Sequence, residues 1–404
     1  MTSTSVSPRT LSASRIVSAT AVLMIVTALL GTIAAIVVAP GLPYDEPSHW
    51  ANVLFVAENR SLPVLGDADV TYEGQQAPLY YVAAAVVASV FGEGGFLAVR
   101  LLGVVGHVLL TGLTAVILQS IVRERALVAI AGTAFVALNP MLIVMSASVQ
   151  NDTWALVWGF AAVAFSIRRV GGQRWVQGVI VGVLSSFAIL TKVSLAPLLL
   201  GIVLAYVLRR RFVEALSAVA VTAVLTSWWF VRNFLLYGDL TGQSAVARTG
   251  AIFENAATTP LALLRAVLTY LTLPTEYLRN TIAAPEWVDL SALLIGVALA
   301  TGTLLVVIRE RRRYVGWGLL VVGAAAIVSL AAWLLQVVFG WPVAFRTAYG
   351  ALPFLALAMG TTTQLLRARW TQISIFAVVC GLQLAMGVWV TISLLGLDQP
   401  SMLL

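Results

Sequence analysis

The chain is built from long apolar runs broken by short clusters of arginine. Read by hydropathy, the runs fall at roughly 14–39, 98–122, 126–147, 154–167, 176–190, 193–208, 213–233, 288–308, 315–338, 347–366 and 373–395. A run of roughly 20 apolar residues spans a bilayer, because a helix satisfies its own backbone groups. The pattern therefore predicts an all-α polytopic membrane protein of about eleven spans, a single transmembrane domain over 1–404. The first run is too long for a signal-peptide core and lacks a small-residue cleavage site, so it reads as a retained span. Residues 1–13, rich in Ser and Thr, are expected to be a disordered cytoplasmic tail.

Charge orients the spans. With the N-terminus inside, the inner segments collect Arg9, Arg15, Arg123, Arg125, Arg168, Arg169, Arg174, Arg209 to Arg211, Arg309, Arg311 to Arg313, Arg367 and Arg369, which is 16 of 24 basic residues. Only Glu124, Glu214 and Glu310 fall inside, so 14 of 17 acids face outward. One apolar stretch, Ala77 to Gly92, would invert every later loop if it crossed. It is read instead as a helix along the outer interface. Two long outer loops result, 40–97 and 234–289, and the active site is expected on the outer face of the cell membrane.

Composition agrees: 60% of residues are hydrophobic and 10% charged, against about 25% charged in soluble domains. The net charge of +7 does not indicate nucleic acid, since the basic residues punctuate spans rather than form one face. Cys380 has no disulfide partner and reads as a small core residue. His107, inside an apolar span, reads as packed and hydrogen-bonded.

The first outer loop carries the candidate chemistry. It opens Pro43-Tyr44-Asp45-Glu46-Pro47-Ser48-His49-Trp50, and 46–60 reads as an amphipathic surface helix. Asp45 is a natural N-cap for that helix. Asp45 and Glu46 are equally two adjacent carboxylates suited to general-base or metal work. Further on come Tyr72-Glu73-Gly74-Gln75-Gln76-Ala77-Pro78-Leu79-Tyr80-Tyr81. Tyr80 and Tyr81 suit interfacial anchoring, whereas Glu73 and Gln76 have no such structural excuse. Asp152, Lys192, Arg232 and Arg346 all fall at outer span ends, where ionisable groups face a cavity or a partner. For Arg232 and Arg346 that partner reads as phosphate, which a guanidinium grips as a fork. Arg100 and Arg265 read as snorkelling to the interface.

These elements, in this order, resemble the GT-C membrane glycosyltransferases that use polyprenyl-phosphate sugars, such as protein O-mannosyltransferases and lipid A aminoarabinose transferases. The resemblance rests on Asp-Glu-Pro-x-His after the first span and Gln-x-Pro-Leu-Tyr-Tyr later in the loop. It extends to Asn151-Asp152 closing the third span, Thr191-Lys192 after the fifth, Trp229 with Arg232-Asn233 and Tyr237-Gly238-Asp239, and Arg346 with Pro353. Tyr349-Gly350 departs from the family's Arg-Tyr-Leu element. The resemblance implies an inverting transferase with a polyprenyl-phosphate sugar donor and a lipid, glycan or protein acceptor. It makes Asp45 the base, assisted by Glu46. His49, Glu73, Gln76, Tyr80, Asp152, Lys192, Arg232 and Arg346 would bind donor or acceptor. No cofactor is assigned. A divalent metal is compatible with His49, Asp45, Glu46 and Glu73, without a readable four-ligand set. The rival readings are a transporter or flippase, which calls for midplane charges and internal repeats, and a non-catalytic envelope scaffold. The charges gather at one face and no repeat is evident.

Overall fold

The computed structural model describes residues 8–67, 69–168, 172–248, 259–275, 277–278, 281–314, 316–339 and 345–395. Arg169, the centre of the second long loop and the side chain of Arg265 lie outside the described residues. The helices are α1 (Pro8–Val37), α2 (Glu46–Asn59), α3 (Leu79–Phe91), α4 (Gly95–Val122), α5 (Ala126–Ala137), α6 (Pro140–Ser146), α7 (Asp152–Ile167) and α8 (Arg174–Thr191). They continue as α9 (Ala196–Leu208), α10 (Phe212–Tyr237), α11 (Gln243–Arg248), α12 (Pro260–Thr272), α13 (Glu286–Leu305), α14 (Gly316–Val338), α15 (Leu352–Thr362) and α16 (Arg369–Leu394). α1 begins within the stretch read as a tail. No strand occurs among the described residues.

A helix lies under each of the eleven proposed spans, but seven segments are long and apolar enough to cross a membrane, or eight if one bent pair is counted. The bent pair is α5 and α6, which meet at 50°. Asn139 explains the break. It precedes Pro140, caps α6 by accepting from the Met141 and Leu142 amides, and donates to the Leu271 carbonyl oxygen at 2.6 Å.

α4 is the hub, packing against α1, α3, α5 and α7. His107 at its middle bonds the Val136 carbonyl at 2.9 Å and the Ser146 hydroxyl at 3.3 Å, tying α4 to α5 and α6. α3 and α4 are one apolar stretch in sequence but not one helix. A Cβ on Gly95 would lie 2.8 Å from the Ala88 carbonyl oxygen, although residues seven apart are about 10 Å apart along a straight helix. The chain therefore turns sharply at Gly92–Gly94, and α3 folds onto α2 and α4. Tyr80 and Tyr81 are buried in that packing, at 3% and 2% exposure, so neither is the lipid-facing anchor that the sequence suggested.

α15 is short, yet its position is tightly set. A Cβ on Gly132 of α5 or Gly302 of α13 would strike the carbonyl oxygens of Ala356 and Ala358 on α15. Small residues thus let three backbones meet. The turn that enters α15, Phe345–Ala351, carries Arg346 and packs against α14.

Candidate active site

Asp45, at the start of α2, does not cap it. Its side chain makes no capping hydrogen bond. The oxygens turn away instead, one accepting from the Tyr72 hydroxyl at 2.9 Å and the other from Arg346 Nη2. The sequence-level capping reading is corrected on this point. Asp45 is buried, at 4% exposure. Burial pushes its carboxyl up, but Arg346, His49 and the bond from Tyr72 outweigh that and hold it at about 2.

From Asp45 the charged groups form a chain drawn from distant segments. Arg346 Nη1 lies 3.7 Å from Asp152 at the start of α7. Lys192, where α8 ends, donates to Asp152 at 2.8 Å and to Asn151 at 3.4 Å. Asn151 donates to Gln76 at 3.3 Å, and Gln76 donates to Glu73 at 2.5 Å. The Tyr277 ring stacks near the Arg346 guanidinium at 5.6 Å, and the Tyr44 amide donates to the Tyr277 carbonyl at 2.9 Å. Asn151-Asp152 therefore opens α7 rather than closing a span.

His49 sits one turn beyond Asp45 on α2, its Nδ1 2.6 Å from the Tyr81 hydroxyl. Burial holds the ring down at about 4, so it is neutral at pH 7. Glu73 is held in place by the Asn52 side chain, which donates to its carbonyl at 2.8 Å. Burial, then the Asp45 charge, pushes the Glu73 carboxyl up to about 7. Burial and both acids raise Tyr72, which stays a donor. The ligand atoms of Asp45, His49 and Glu73 lie within 4.8 Å of one another. This set, two carboxylates and an imidazole, is of the donor types that hold a divalent cation.

Glu46, Tyr80 and Arg232 are not brought into this cluster. Glu46 pairs with Arg100, which is 1% exposed and not snorkelling. Arg100 donates to both Glu46 oxygens, at 2.8 and 2.6 Å, and to the carbonyls of Ala35, Val38 and Ala39. The Gly41 and Val149 amides fill the remaining acceptor positions of Glu46. Arg232 donates to the Pro63 carbonyl at 2.8 Å and lies over the Trp229 ring at 4.9 Å. The element around it is a brace for the first loop. The Tyr237 hydroxyl accepts from the Leu65 amide, Gly238 takes φ +80°, and Asp239 accepts from the amides of Thr241, Gly242 and Ser244. Sequence reasoning passed over Tyr72, Tyr81 and Tyr277 as site residues and misread Arg100. Only Arg100 carried a signal, as a charge inside an apolar run.

A largely apolar groove runs between α1, α6 and α16, past Leu30, Ala34, Val37, Val144 and Leu384. Its wall ends at Val37, next to the carbonyl of Val38 that binds Arg100.

No protein-family model matches the chain, and no curated protein matches its sequence. Solved structures do match. The archaeal oligosaccharyltransferase AglB from Archaeoglobus fulgidus, in complex with an inhibitory peptide and a dolichol-phosphate, aligns over 92% of this chain and 56% of its own, at 13% identity and TM-score 0.57. The Archaeoglobus fulgidus oligosaccharyltransferase in complex with Zn and sulfate aligns over 94% and 54%, at 13% identity and TM-score 0.60. The chain shares the fold of the membrane part of these oligosaccharyltransferases. ArnT from Cupriavidus metallidurans, bound to undecaprenyl phosphate, aligns over 91% and 77% at 15% identity and TM-score 0.40. The chain spans about half the length of the oligosaccharyltransferases it matches.

Proposed function

We propose that this protein is an inverting glycosyltransferase that moves a sugar from a polyprenyl-phosphate donor to an acceptor at the outer face of the membrane. The observation that carries the reading is the meeting of Asp45, Asp152, Lys192 and Arg346 from four separate segments in one buried cluster. Buried ionisable groups are costly in an apolar chain, and a set drawn together from so far apart suits charge-handling chemistry. The partition of arginines supports placing this end of the bundle outside, with α3 along the outer interface. One oligosaccharyltransferase of this fold holds a dolichol-phosphate, which supports a polyprenyl-phosphate lipid as the ligand here. The apolar groove suits its tail.

In this reading Asp45 takes the proton of an acceptor hydroxyl as it attacks the anomeric carbon. The bond between that carbon and the phosphate oxygen breaks, and the phosphate leaves with the electron pair. Arg346 and Lys192 stabilise it, a role in which preorganised charge is usually the largest effect. Gln76, Asn151 and Glu73 orient hydroxyls. A divalent ion held by Asp45, His49 and Glu73 would supply Lewis acidity toward the acceptor oxygen.

The test is transfer from polyprenyl-phosphate sugars by purified protein in nanodiscs. Arg346→Gln should lower it by roughly 10²–10³-fold, the usual cost of losing one preorganised donor. Arg232→Gln should leave turnover close to wild type. Should Arg232→Gln abolish transfer while Arg346→Gln leaves it intact, the phosphate site has been put in the wrong place.

A further inference from the structure

Arg346 is a guanidinium only half engaged. Nη2 donates to Asp45, while Nη1 is buried and has no hydrogen-bond partner among the described residues. Asp152 attracts Nη1 from 3.7 Å but is itself hydrogen-bonded to Lys192. The charges of Asp45, Arg346, Asp152 and Lys192 alternate in sign along this path and sum to zero. Asp45 and Asp152 are 4% and 3% exposed. An unmade hydrogen bond on a buried cation is costly. A tetrahedral oxyanion would supply the missing acceptors, because a guanidinium binds phosphate through two parallel N–H bonds.

The resting arrangement also weakens the base. Each Asp45 oxygen accepts one hydrogen bond, one from Tyr72 and one from Arg346. The guanidinium against Asp45 stabilises its charged form, so the carboxylate is a weak base until Arg346 withdraws.

Resting on the function proposed above, we infer that donor binding is an anion exchange at Arg346. Asp45 is the resident anion of the phosphate seat; the donor's phosphate takes Arg346 from it and thereby frees Asp45 to act as base. Lys192 keeps Asp152 paired when the guanidinium turns. Acceptor or water bound without donor meets a carboxylate whose basicity Arg346 still suppresses.

The exchange predicts an effect opposite in sign to that of ordinary site damage: removing the charge of the catalytic base should tighten donor binding. The probe is farnesyl phosphate, with farnesol as the uncharged control, titrated into purified protein in nanodiscs. Asp45→Asn, which can still accept from Tyr72, should tighten farnesyl phosphate by about tenfold or more and leave farnesol unchanged. Arg346→Gln should weaken it by about tenfold or more. In an Arg346→Gln background the gain from Asp45→Asn should vanish. Should Asp45→Asn fail to fold, Asp152→Asn, the other acid facing Arg346, should tighten binding in the same way. The exchange is overturned if neither variant binds more tightly. It is also overturned if the gain persists without Arg346, since that would be a general field effect. If wild type does not prefer farnesyl phosphate to farnesol, or Arg346→Gln leaves that preference intact, the phosphate reading itself falls.

Discussion

Asp45 and Glu46 are adjacent in sequence, both buried and both paired with an arginine, yet the two pairs are built to opposite ends. Around Glu46 and Arg100 nothing is missing. The donors of the guanidinium are shared among Glu46 and three carbonyls, and backbone amides fill the remaining carboxylate positions. Around Asp45 and Arg346 the network is incomplete: one guanidinium nitrogen lacks a hydrogen bond, and a second acid competes for it. A saturated buried pair fixes structure, because any departure strands a charge. An unsaturated one can change partners. The first joins the end of α1 to α2 and to the loop before α7; the second lies where, in the proposed reaction, donor and acceptor meet.

The largest expected effect that would break this contrast is on transfer. Asp45→Asn should lower it by roughly 10²–10⁴-fold, the weight of general-base catalysis. The melting temperature should stay near that of wild type, because Arg346 keeps Asp152 as a neighbour. Sugar transfer and thermal unfolding of the same preparation check it. An active Asp45→Asn enzyme would remove this residue from the mechanism.

Glu46→Gln should behave in the reverse way. Arg100 has no second acid among the described residues, so the substitution leaves a buried charge uncompensated. Breaking such a pair costs about 3–5 kcal/mol, enough to lower the yield of folded protein sharply. Tryptophan fluorescence during thermal unfolding in detergent is the measurement. If Glu46→Gln is as stable as wild type but cannot transfer sugar, the two carboxylates share the chemistry and the contrast is wrong.

The sequence made one side of this contrast legible and hid the other. Asp45, His49, Glu73, Gln76, Asp152, Lys192 and Arg346 stood out because polar and ionisable groups are rare in so apolar a chain. Pairing was not readable. Arg100 and Glu46 are 54 residues apart, and the first could equally have reached the interface along its own stem. Arg232 looked like a phosphate ligand by motif and position, but its main partner is a carbonyl at Pro63, which no pattern of charges announces. The helices were legible from apolar runs, their lengths less so. α5 and α6 read as one span because a capping Asn139 looks like a single polar residue in a long apolar run. The short α15 likewise owes its place to glycines on its neighbours rather than to its own sequence.

The smallest expected effect sharpens the account of the loop itself. Glu73 is pushed up to about 7, first by burial and then by the Asp45 charge, from 4.5 in an open chain. Between those values the folded protein holds a proton that the unfolded chain has given up. Folding is therefore favoured on the acid side, and that stability is lost as pH rises toward 7. His49 has the opposite sign. Held at about 4 rather than 6.5, it costs stability as pH falls through that window, because only the unfolded chain takes up the proton. Comparing Glu73→Gln with wild type isolates the first effect, since His49 is common to both. In protein treated with a chelator, the variant should gain on wild type by roughly 2 kcal/mol between pH 5 and pH 7.5. If thermal unfolding gives the same difference between the two proteins at both pH values, folding does not raise the affinity of Glu73 for its proton. The cluster would then present three ionised acids, Asp45, Glu73 and Asp152, to Arg346 and Lys192 rather than two, and the neutral pairing described for it would not hold.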